Sequence, residues 1–201
     1  MPANSDAAGA HREVRSDSSA PTTKATTTPS PQLPSAVLGP LPVVYAGCCL
    51  ALSAPLVSHL VSLLPAPPRL SLSIGSGYGL LEAHLLSSHP TPNLIGVEVQ
   101  PSSNRFLPRP NHREVYGTRG LDHLADEAHT WLLVYPRRVG LLDEYLKRYG
   151  HGALRTVIWI GPNADWTDYM PSFASPWEVQ VQDANEVGGR ACEIIAVARR
   201  S

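Results

Sequence analysis

The chain has 201 residues and a formal net charge of −1, enough for one domain with some chain to spare. The near-neutral balance leaves no global field to draw it to nucleic acid or acidic membranes. Its 3 cysteines, Cys48, Cys49 and Cys192, show no C-x-x-C spacing. That argues against a disulfide framework or a zinc site and fits a reducing compartment, the cytoplasm or the nucleus. All three read as small buried apolar residues.

Residues 1 to about 36 are Ser, Thr, Pro and Ala with scattered charges. Too few large apolar side chains are present to offset chain entropy, so the segment reads as disordered. It lacks the apolar run of a secretory signal, and Asp6, Glu13 and Asp17 break the acid-free pattern of a transit peptide. The expected organisation is a tail over residues 1–40 and a folded domain over residues 41–201. Val43 to Leu64 has no Asp, Glu, Lys or Arg and is long enough to span a bilayer. Pro55, His59 and several serines weaken that reading, and Leu56, Leu60, Leu63 and Leu64 form a helical stripe. A helix packed on the domain is expected, stopped by Pro65, Pro67 and Pro68.

Leu70 to Ile74 is a short apolar strand, followed by Gly75-Ser76-Gly77-Tyr78-Gly79 and a helix over Leu80 to Ser88. Glycines at alternating positions let backbone pass close to a ligand. The helix start is expected to offer free N–H groups to an anionic group. Asn93 to Val99 is a second strand, and Glu98 lies 19 residues past Gly79. A carboxylate at that tip of a doubly wound fold accepts ribose hydroxyls. The dinucleotide fingerprint would place a third glycine at residue 80, which is Leu80.

The alternation continues through strands at Arg113–Tyr116, Thr130–Tyr135 and Thr156–Ile160, with helices at Leu121–His129 and Val139–Tyr149. Trp177–Gln182 and Ala191–Ala198 flank the turn Glu186-Val187-Gly188-Gly189 and read as a terminal hairpin. The fold class expected is α/β: a doubly wound, mostly parallel seven-stranded sheet with a C-terminal antiparallel hairpin strand and helices on both faces.

The G-x-G-x-G spacing, the segment Ile95-Gly96-Val97-Glu98-Val99-x-Pro101 and the terminal hairpin resemble the class I S-adenosylmethionine-dependent methyltransferases over about residues 44 to 199. The resemblance implies S-adenosyl-L-methionine as cofactor and no metal. It places Ser73, Gly75, Ser76, Gly77, Tyr78 and Gly79 at the methionine part and Glu98 at the ribose, with Val99 also binding cofactor. Thr118, or Asp122 instead, falls near the adenine, and Tyr135 at the end of the fourth strand. Pro136, Arg137 and Arg138 are the implied substrate-facing residues, with Asp165, Trp166 and Asp168 as a lid or substrate wall.

Two departures stand out. The family's motif usually carries an acid where this chain has Ser73. Its Asp/Asn-Pro-Pro-aromatic box is replaced by Tyr135-Pro136-Arg137-Arg138, so adenine and glutamine N-methylation of that type is not expected. The implied function is methyl transfer to a small-molecule or protein acceptor. The alternative is a cofactor-binding or scaffold protein without turnover. Tyr135, Asp165, Asp168 and His151 are candidate bases, and spacing singles out none of them. No basic aromatic stripe points to nucleic acid. Acceptor recognition falls to short loops or to a protein partner.

Overall fold

The computed structural model describes residues 37–200, so most of the expected tail lies outside the described residues. Within that range Leu38 packs against the core and the Gly39 carbonyl accepts the Ala54 N–H at 2.8 Å.

The strands are β1 (Leu70–Ile74), β2 (Asn93–Val99), β3 (His112–Val115), β4 (Thr130–Val134), β5 (Thr156–Pro162), β6 (Trp177–Asp183) and β7 (Glu193–Arg200). The helices are α1 (Ala54–Leu63), α2 (Leu80–Leu86), α3 (Gly140–Tyr149) and the short α4 (Trp166–Tyr169). They build one seven-stranded sheet in the order β3-β2-β1-β4-β5-β7-β6. The strands β1 to β5 run parallel, and β7 lies antiparallel to both β5 and β6. The terminal hairpin thus inserts its last strand inside its first. The strand order reverses between β1 and β4, which opens a crevice at their carboxyl ends.

Central strands are buried on both faces, so their sequences run apolar without a break. Along β5, Val157 and Trp159 enter one core, while Ile158 and Ile160 enter the other. Trp131, Tyr145, Trp166, Tyr169 and Phe173 fill the first. The second holds Leu56 and Leu60 of α1 and Leu81 and Leu85 of α2.

Two expected helices are corrected. Residues 43–53 are not helical: Val43 and Leu52 exchange backbone hydrogen bonds at 2.9 and 2.8 Å across a loop turned at Gly47, where φ is +80°. The helix starts only at Ala54, because the Ser53 hydroxyl accepts the Leu56 N–H and Pro55 suits the first turn. Between β3 and β4 there is a single 3₁₀ turn, His123–Asp126, rather than a helix over 121–129. Asp122 caps that turn, and His129 N–H already bonds the Leu70 carbonyl at 2.8 Å, so sheet geometry takes over. No helix among the described residues is long and apolar enough to cross a membrane. Cys48 is half-buried, whereas Cys49 and Cys192 are exposed, contrary to the buried reading.

Candidate functional site

A cavity of about 770 Å³ opens at the carboxyl ends of β1, β2 and β4. Its floor is the glycine loop together with Leu80, Leu81 and Glu82 of α2. One wall is the tip of β2, Glu98 and Val99, with Thr118 from the loop after β3. Another runs from Val134 to Arg138 at the end of β4, joined by Leu141 of α3. The segment 44–49 forms a further wall against the loop, packing Gly47 so tightly on the Tyr78 ring that a Cβ there would run into it. The Arg105 guanidinium covers that ring, 4.3 Å from its centroid.

The loop turns its amides inward. Gly75 and Ser76 N–H groups both donate to the Val97 carbonyl, at 2.9 and 3.0 Å, and Gly79 N–H to the Ser76 carbonyl at 2.8 Å. Gly77 N–H donates to Glu98 Oε2 at 2.6 Å, while Glu98 Oε1 accepts its neighbour Val99 N–H at 2.9 Å. The loop amides of Gly75, Ser76 and Gly77 are therefore taken by β2 and the Glu98 carboxylate, while α2 starts after Gly79 without a side-chain cap. Gly75, Gly77 and Gly79 have φ of +82°, +56° and +75°, a region that favours glycine. A Cβ on Gly75 would meet nothing within 4 Å, and one on Gly77 only the Gly47 carbonyl at 4.0 Å. Those positions leave open room for a ligand.

Ser73 is buried beneath this floor and does not line the cavity. Its hydroxyl donates to Glu82 Oε1 at 2.6 Å. Glu82 is 3 % exposed, and burial pushes its carboxyl up to about 7, partly offset by the Ser73 hydrogen bond. The Cys48 thiol across the cavity is pushed up to about 12, chiefly by burial and then by the Glu82 charge, so it is a poor nucleophile. Sequence reasoning missed Glu82 and the 44–49 segment. The signal for Glu82 was a lone acid set among Leu80, Leu81, Ala83 and Leu85.

Tyr135 is the one non-glycine residue with positive φ among those described, at 49°. Its hydroxyl donates to Glu193 Oε1 at 2.7 Å, and Glu193 Oε2 accepts the Arg190 N–H at 3.1 Å. Burial, together with Glu193, raises the Tyr135 pKa, so the phenol stays a neutral donor rather than a base. Arg138 makes a bidentate pair with Glu144, at 2.7 and 2.9 Å, whereas Arg137 is exposed at the rim.

Of the expected site residues, Gly75 to Tyr78, Glu98, Val99, Thr118 and Tyr135 to Arg138 come together around this cavity. Gly79 lies just behind it, capping α2. Asp165 and Trp166 are not there. Asp165 is exposed, and Trp166 is buried 5.3 Å from Trp159 and 5.8 Å from Phe173, centroid to centroid. Its indole serves the core because β5 presents Trp159 on that face. Asp168 and His151 are exposed outside the cavity too. Asp122 is also elsewhere, paired with Arg113 at 2.6 Å, which leaves Thr118 as the candidate on that wall.

No known protein-family profile matches the chain, and no curated protein matches it by sequence. Many solved structures do match its fold. The methyltransferase domain of bacterial CtHen1-C superposes with a TM-score of 0.55 at 14 % identity, over 72 % of this chain and 96 % of that one. Precorrin-6y C5,15-methyltransferase from Geobacter metallireducens gives 0.56 at 12 % identity, over 80 % and 93 %. A chain in the complex of the Haloferax volcanii Trm112 methyltransferase activator with a protein described as a methyltransferase gives 0.50 at 9 % identity, over 73 % and 88 %.

Proposed function

We propose that this chain, which has the class I methyltransferase fold, binds S-adenosylmethionine and transfers its methyl group to a small-molecule or protein acceptor. The observation that carries the reading is the polarity of the cavity floor. A dinucleotide needs loop amides and a helix start aimed at its diphosphate. Here the amides of Gly75, Ser76 and Gly77 are spent internally, and carboxylates of Glu82 and Glu98 line the cavity instead. That floor suits a cationic, phosphate-free nucleoside.

S-adenosylmethionine supplies an electrophilic sulfonium methyl group. The protein then contributes mainly position and exclusion of water. The Glu98 carboxylate retains lone pairs for the ribose hydroxyls beside its bond to Gly77. Thr118 stands on the same wall for a polar edge of the base. Val134 to Arg138 and Leu141 form the acceptor side. Tyr135, whose proton is given to Glu193, offers an acceptor only its oxygen lone pairs and does not deprotonate it. Nucleophiles that need no strong base from the enzyme are therefore favoured.

The Trm112 activator complex among the similar structures supports a protein partner for this chain. The exposed Cys49 and Cys192 thiols fit a reducing compartment such as the cytoplasm or nucleus.

Calorimetric titration with S-adenosylmethionine, S-adenosylhomocysteine and NAD tests the cofactor. Binding of the sulfur nucleosides and not of NAD is expected; the reverse would sink the reading. Label transfer from methyl-labelled cofactor to an extract then identifies the acceptor. Tight binding with no labelled product in any extract would favour a scaffold without turnover.

A further inference from the structure

We propose that Glu82 binds the ammonium group of the ligand's amino-acid portion and so fixes that portion against the glycine loop. This rests on the reading above that the cavity takes an S-adenosylmethionine-type molecule.

Glu82 sits on a helix whose neighbouring side chains, Leu80, Leu81, Ala83 and Leu85, are all buried and apolar. The ion pairs among the described residues join Arg113 and His123 to Asp122, and Arg138 to Glu144; none reaches Glu82. The charged or ionisable groups that sense it are Glu98 and Cys48, an acid and a thiol. An ionised carboxylate held this way lacks a counter-charge, which is unfavourable in an apolar setting. Yet Ser73 holds Oε1 at 2.6 Å in a fixed position, and the residue lines the cavity. The missing partner is then a cation that arrives with the ligand.

Placement specifies which part of the ligand this is. Glu98 grips the loop at Gly77, at the tip of β2, whereas Glu82 is tied to Ser73 inside β1, on the near side of Gly75. Glu98 thus belongs to the wall at the tip of β2, and Glu82 to the floor over β1. With the ribose at Glu98 and the base towards Thr118 on the same wall, the part left for the floor is the amino-acid portion, and its α-ammonium donates to the Glu82 carboxylate in a charge-assisted bond. No ion pair among the described residues competes for it.

The test is calorimetric titration of the full chain with S-adenosylhomocysteine and with 5′-methylthioadenosine, which keeps the adenosine and thioether but lacks the amino-acid portion. Glu82→Gln is expected to weaken S-adenosylhomocysteine by roughly 10- to 100-fold and methylthioadenosine by less than about two-fold. Ser73→Ala keeps the carboxylate but releases it, and is expected to show the same ligand selectivity with a smaller loss. It reads out the proposal independently of how Glu82→Gln folds. Equal weakening of both ligands, or of neither, would overturn the assignment and leave Glu82 a structural residue. If the wild type bound neither ligand, the cofactor reading itself would fall, and the role of Glu82 with it.

Discussion

Removing the buried charge of Glu82 is expected to stabilise the ligand-free protein in a pH-dependent way. An ordinary glutamate titrates near 4.5, and burial pushes Glu82 up to about 7. The sign follows from proton counting. Below pH 4.5 the carboxyl is protonated whether the chain is folded or not, and it costs nothing. Between the two values the folded state keeps a proton that the unfolded state has lost, so stability falls as pH rises. Above about 7 both states are ionised and the full penalty applies, about 3 kcal/mol for a difference of this size. Glu82→Gln cannot ionise, and its amide oxygen can still accept the Ser73 hydroxyl. Its stability relative to wild type should therefore rise by about 2–3 kcal/mol between pH 5 and pH 8. Urea unfolding of both proteins at the two pH values measures this. Any constant offset from the amide cancels in the comparison, as do the titrations of His59, His84 and His112, which are common to both proteins. A stability difference unchanged between pH 5 and pH 8 would refute the claim that Glu82 is buried without a counter-charge.

Ligand binding should reverse that penalty. At pH 7, S-adenosylhomocysteine is expected to release roughly half a proton from wild type and none from Glu82→Gln, measured as the dependence of binding enthalpy on buffer ionisation. Glu98 of β2 and Cys48 of the 44–49 segment are the other ionisable groups facing Glu82, and Cys48, pushed up to about 12, stays protonated throughout. Glu98→Ala should weaken S-adenosylhomocysteine and methylthioadenosine alike, by roughly 10-fold or more, since it removes the ribose acceptor and the Gly77 clasp together; unchanged affinity for both would put the ribose elsewhere. Gly79→Ala forces a Cβ into φ of +75° and within 2.7 Å of Leu107 Cγ and 2.9 Å of Asn104 Oδ1. It should cost at least about 1–2 kcal/mol of stability, readable as a lower urea midpoint. Trp166→Ala should cost about 3–5 kcal/mol while leaving cofactor affinity in the folded protein unchanged; a selective loss of affinity would return Trp166 to the site.

The pattern of elements was legible in the sequence because it rests on local rules. Strand, glycine turn, helix, strand and carboxylate follow each other at spacings that backbone sterics and periodicity dictate. The terminal hairpin shows as two apolar runs around Gly188-Gly189. Helix extent was less legible. A charge-free run from Val43 to Leu64 looks uniformly helical, yet Ser53 and Pro55 start the helix late, and Gly47 turns the preceding chain into the wall of the cavity. At residues 121–129, the competing bonds of Asp122 and His129 outweigh a weak helical period.

The sequence by itself determined that a glycine loop and Glu98 meet at the carboxyl edge of a parallel sheet, because the order of elements leaves them no other place. It also marked Ser73 as a position lacking charge. Only the tertiary structure decided what that lack means. Ser73 and Glu82 lie on different elements and touch only because α2 packs back over β1. Burial and the lack of an ion-pair partner among the described residues, which set the charge of Glu82, are properties of the packed molecule rather than of any stretch of chain. The same holds for Trp166, which an exposed loop would have offered to a substrate and which the β5 core claims instead.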